Sequence, residues 1–110
     1  MSRPRLSAPA TALVRVLLHR SSLRAGRISL TNCLSTEWRS LTFAGERHQL
    51  GFRITGDDAL AHARALVDRI EEADLPIGRG FVADIALAAP LAPQEDGSVL
   101  VGLEALTLED

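Results

Sequence analysis

The chain has 110 residues, 46% hydrophobic and 24% charged, with a formal net charge of -2. At this length a protein buries about two-thirds of its surface, enough for a single domain over residues 1–110 and too little for a second core. One cysteine, Cys33, excludes an internal disulfide and a structural zinc site, and the small net charge excludes a strong field around the whole molecule.

The charge is unevenly placed. Residues 1–36 carry Arg3, Arg5, Arg15, Arg20, Arg24 and Arg27 and no acid, whereas residues 37–110 carry six arginines against fourteen acids. The first segment is therefore at +6 and the second at -8, which returns the total of -2. No apolar run approaches the roughly 18 residues needed to cross a bilayer, and Arg15 interrupts the stretch from Ala12 to Leu18, so no membrane partner is expected. The acid-free, Arg- and Ser-rich start has the look of an organelle transit peptide, but a native first helix within a basic segment, residues 1–26, is the better reading. Cysteine usage points to the reducing cytoplasm.

In chain order, an irregular lead-in gives way to an amphipathic helix at about Ala10 to Arg20. Leu13, Val14, Leu17 and Leu18 line one side and Thr11, Arg15 and His19 the other. Three strands are expected next: Ile28 to Cys33, Trp38 to Ala44 and Arg47 to Thr55. Gly45-Glu46 suits a two-residue type II′ turn, which pairs Phe43 with His48, Leu41 with Leu50 and Trp38 with Arg53. That register collects Leu41, Phe43, Leu50, Phe52 and Ile54 on a core face.

A second helix is predicted over Asp58 to Ala73, with Asp57 as cap and Ala59, Ala63, Leu66, Val67 and Ile70 as its apolar stripe. Strands at Gly80 to Ala89 and Ser98 to Thr107 complete the chain as a long hairpin. On the first of them, Phe81, Ala83, Ile85 and Leu87 form one face and Val82, Asp84, Ala86 and Ala88 the other. The expected architecture is α+β: a mostly antiparallel five-stranded sheet in the order α-β-β-β-α-β-β, with one helix on a sheet face, over a core of residues 27–110.

One sheet face should carry Trp38, Arg53, Ser40, Thr42, Gln49, Asp84 and Glu104 beside Val82, Leu100 and Leu106. It is too apolar for bare water, so the first helix, a second subunit or a ligand is expected to cover it. Trp38 stacked on Arg53, with Asp84 or Glu104 behind the guanidinium, is a candidate partner-binding or anion-binding site. The same pair also reads as a plain cross-strand contact worth about 0.2–1 kcal/mol, and that role is preferred.

His48 is the one histidine on a core-facing strand and a candidate general acid or base near Asp84 or Glu104, set against the plainer role of a hydrogen-bonded rim histidine. Cys33 reads as a small buried hydrophobe rather than a nucleophile. His19, His48 and His62 are too dispersed for a metal-ligand spacing, and no phosphate-binding loop is present, so neither metal nor cofactor is expected. The arginines of residues 1–36 suit phosphate contacts, but the acidic remainder and only four aromatic residues argue against a nucleic-acid partner.

Trp38, Ser40, Thr42, Phe43, Gly45 and His48, with Val82-Ala83-Asp84-Ile85 and Glu104-Ala105-Leu106-Thr107, resemble a small bacterial family of about this length with no assigned activity. The resemblance spans residues 35–109. It implies a bacterial cytoplasmic origin and transfers no catalytic or binding residue. The expected function is a non-enzymatic module acting as a homodimer toward a protein partner or small anionic ligand.

Overall fold

A computed structural model describes residues 6–110. Its elements are α1 (Ala8–Ser21), β1 (Ile28–Arg39), β2 (Ala44–Ile54), α2 (Ala59–Val67), a 3-10 turn (Ile70–Glu72), β3 (Phe81–Leu87), β4 (Ala92–Pro93) and β5 (Val99–Leu108). The fold is α+β with a five-stranded antiparallel sheet in the order β1-β2-β5-β3, and β4 pairs with the opposite end of β5 along the same edge as β3. Disregarding the 3-10 turn, the chain order is α-β-β-α-β-β-β.

Ser7 starts α1: its hydroxyl accepts from the Ala10 amide at 3.2 Å, and Pro9 occupies the first turn, where no intrahelical N–H is needed. Ala10, Leu13, Val14, Leu17 and Ser21 form the buried stripe. The helix ends at Ser22 in the left-handed region, φ 58°.

The second helix is shorter than its pattern suggests. Asp68 leaves helical geometry and Arg69 is left-handed, so the run to Ala73 is broken into α2 and the 3-10 turn. Arg20 from α1 donates to the carbonyls of Leu66 at 2.8 Å and Asp68 at 2.7 Å, satisfying groups a helix end leaves open. At the other end Asp58, not Asp57, holds the cap position, and its carboxylate makes no cap bond because Arg27 and His62 engage it at 2.6 and 2.8 Å.

The expected first strand runs on through Trp38 and Arg39 as one strand, β1, while the rest of the expected second strand becomes the turn and the start of β2, so the turn lies earlier than predicted. Arg39 pairs with Ala44, and residues 40–43 make the connection, with the Ser40 hydroxyl accepting the Phe43 amide at 3.0 Å. Gly45 is an internal strand residue. A Cβ there would run into the Thr107 carbonyl oxygen and the Leu108 side chain, so the glycine serves close approach of β5 rather than a turn. Leu41 and Phe43 consequently lie outside the core, at 106% and 46% exposure.

Both helices pack on the same face of the sheet, hereafter the inner face. Its centre is Leu50, Phe52, Ile54, Val99, Val101 and Leu103, all at most 2% exposed, against Leu13, Leu17, Ala63 and Leu66. A bulge between Leu30 and Asn32 shifts the phase of β1, so Ile28, Leu30, Cys33 and Ser35 all pair with inner-face residues. A second bulge between Val82 and Asp84 does the same in β3: Val82 joins Ile85 on the inner face, and Phe81 does not.

Gly80 precedes β3 at φ 71°, with the Leu108 carbonyl where a side chain would begin. Gly80→Ala combines a left-handed backbone with a clash against an immovable strand carbonyl. It is expected to cost about 1–3 kcal/mol and to lower the thermal midpoint in a calorimetric scan.

Candidate functional site

The outer face of the sheet carries every residue proposed for partner binding. Its cross-strand rungs follow from the register: Trp38–Gly45–Leu108–Phe81, then Thr36–Arg47–Leu106–Asp84, then Leu34–Gln49–Glu104–Ala86. At the far end Ser29, Arg53, Leu100 and Ala92 share a rung. Leu34, Phe81 and Leu100 are 56%, 42% and 37% exposed, and no helix crosses this face. The first helix, one of the three expected covers, is on the other side.

Parity along the strands places Trp38, Arg53, Asp84 and Glu104 on one surface, but the register separates the first two. Trp38 lies opposite Gly45, eight residues along β2 from Arg53, or roughly 26 Å at strand rise. The stacked pair therefore does not form. Arg53 is instead ion-paired with Asp96, and its Nε donates to the Ser98 hydroxyl at 3.2 Å. Hydrogen bonds from Ser98 to Asp96, and then Arg53 beside it, hold that carboxyl below the ordinary range. Asp84 and Glu104 are near neighbours, two positions offset on paired strands, and neither reaches Arg53.

His48 is on the inner face, opposite Ala105, with 0% exposure. Asp84 and Glu104 point to the other side of the sheet, so the expected acid–base group is not assembled. Its ring is held by two hydroxyls, Ser35 at 2.7 Å on Nδ1 and Thr107 at 2.8 Å on Nε2. Thr107 also faces the Glu46 carbonyl at 3.5 Å, an oxygen that only accepts. That end fixes the polarity: Nε2–H donates to Thr107, and Ser35 donates to Nδ1. Burial pushes the His48 pKa below its ordinary value, with Glu46 acting in the opposite sense. The imidazole is a satisfied core group, held by side-chain hydroxyls in the interior and not at the sheet rim, and no buried side-chain polar atom among the described residues lacks a partner. Neither Ser35 nor Thr107 was signalled by the sequence, because both partners depend on strand phase.

Cys33 is half-buried, 3.8 Å from the Ser35 hydroxyl. Of the basic N-terminal residues, Arg20 binds helix carbonyls and Arg27 binds Asp58 and the Thr55 carbonyl at 2.9 Å, so both serve the fold. Arg15 and Arg24 are exposed, while Arg3 and Arg5 lie outside the described residues. Among the described residues no group of three or more His, Cys, Asp or Glu is placed to hold a metal ion, and no helix is long and apolar enough to cross a membrane.

No family model matches the chain, and no curated protein matches it. A solved structure described as the virion of a native gene transfer agent particle contains a similar chain, 21% identical over 76% of this chain and 68% of that one, with a TM-score of 0.48. That likeness does not bear on what this chain does.

Proposed function

We propose that the protein is a non-enzymatic, cytoplasmic interaction module that works as a homo-oligomer, at its simplest a homodimer, through the outer face of its sheet. One observation carries the reading: α1 and α2 both cover the inner face, leaving Leu34, Phe81 and Leu100 exposed on a broad, four-stranded outer surface. Trp38, Arg53, Asp84 and Glu104 would contribute to contacts there, the aromatic as an anchor and the charges as determinants of register. The buried, hydroxyl-bound His48 supports a role without catalysis.

Replacing Leu100 and Leu106 together with Glu introduces two charges into that surface while leaving the inner core untouched. The expected result is an assembly that dissociates to monomers in native mass spectrometry, with the circular dichroism spectrum of the parent. A parent chain that is monomeric at all concentrations, or a variant whose mass is unchanged, refutes the proposal.

A further inference from the structure

Resting on the reading of the outer face as a self-association surface, we infer that its occupant is a second copy of this chain, packed face to face about a two-fold axis parallel to the strands and running between β2 and β5. The argument comes from how charge is distributed over that face. Its arginines, Arg47 and Arg53, are both on β2, whereas its acids, Asp84 and Glu104, are on β3 and β5. Within one copy Arg47 and Asp84 flank Leu106 from opposite sides, two strand spacings or roughly 10 Å apart, and neither has an ion-pair partner among the described residues. The face is thus divided into a basic and an acidic half, a pattern that complements itself.

An axis along the strands lays β2 of one copy over β5 of the other without changing height on the sheet. Gln49 then overlies the second copy's Glu104, an amide donor against a carboxylate. Arg47 overlies the second copy's Leu106, with that copy's Asp84 one strand spacing, about 4.8 Å, to the side. The alternative in-plane axis, across the strands and centred on the face, sets Arg47 over the other copy's Arg53, whose charge Asp96 already meets, and Asp84 over its Ala92, so that neither unpaired charge gains an unpaired opposite one. Bringing Arg47 beside Asp84 selects the first axis. The four-stranded face offers a footprint of roughly 600 Å² per copy, at the lower end of specific interfaces.

The test uses trans-complementation. Arg47→Asp yields a copy with acids in both halves, and Asp84→Arg one with bases in both halves, so each alone sets like charges across both symmetry-related contacts. Each variant is expected to self-associate at least about tenfold more weakly than the parent. An equimolar mixture restores opposite charges at both contacts and is expected to form the heterodimer at near-parental affinity in native mass spectrometry. Such rescue also shows that both variants are folded. Parental dimerisation by either variant alone, or a mixture that stays monomeric, overturns the pairing. If the Leu100→Glu, Leu106→Glu chain still dissociates in that case, the axis is wrong and the outer-face reading stands; if the parent is monomeric, both fall.

Discussion

Phe52→Ala is expected to cost about 3–5 kcal/mol, while Leu41→Ser changes stability by no more than about 0.5 kcal/mol. Phe52 is the largest of the fully buried side chains, on the second strand of the sheet order with Leu30 opposite on one side and Val101 on the other. Removing its ring loses the transfer free energy of the aromatic carbons and leaves a cavity that flanking strands cannot close without breaking their ladders. Against a total of about 5–15 kcal/mol for a domain of this size, that is a large share. Leu41 is an aliphatic residue on the same predicted face, yet it sits at a turn tip with 106% exposure and has no packing to lose. Urea unfolding of the two variants separates the cases: the midpoint falls steeply for Phe52→Ala with little change in slope, and stays in place for Leu41→Ser. A large loss on Leu41→Ser would support the shorter hairpin with its turn at Gly45-Glu46.

That contrast locates what the residue pattern carries and what it does not. The apolar stripes of α1 and α2 and the alternation His48, Leu50, Phe52, Ile54 are local, and each survives in the structure because burial of one face is all they require. The pairing of β1 with β2 is not local. Gly45 has the composition of a turn residue, but the close approach of Thr107 and Leu108, some sixty positions away, is what excludes a side chain there. The bulges at Thr31 and Ala83 each reverse the parity of the residues beyond them, so Val82 joins the inner face.

The candidate site divides along the same line. Parity alone puts Trp38, Arg53, Asp84 and Glu104 on one surface. Their contacts depend on register, and the register sends Arg53 to Asp96, in the loop that joins the two strands of the predicted long hairpin. His48 was legible as core-facing, whereas its two hydroxyl partners come from strands whose relative phase no short window of sequence contains.

Lowering the pH from 7 to 5 is expected to destabilise the protein through His48. The imidazole is fully buried, and its low pKa follows chiefly from desolvation of the charged form. The unfolded chain takes up this proton near pH 6.5 and the native state does so only at lower pH. Below 6.5 the unfolded state therefore binds more protons, and stability falls as pH falls, at a limiting rate of about 1.4 kcal/mol per pH unit until the folded pKa is reached. Above 6.5 the contribution is complete and flat. Protonation would also give Nδ1 a hydrogen, so that Ser35, which donates to that atom, must turn its hydroxyl to accept instead, while the links from Nε2–H through Thr107 to the Glu46 carbonyl keep their direction. Asp58 and Asp96 have carboxyls held below the ordinary range and add their own loss only in more acid solution, outside this window. His48→Gln, measured by urea unfolding at pH 7, 6 and 5, isolates the effect: the variant starts less stable than the parent, and the gap between them narrows as pH falls. A gap that holds constant over those three values would mean that His48 takes up its proton as readily in the folded chain as in the unfolded one.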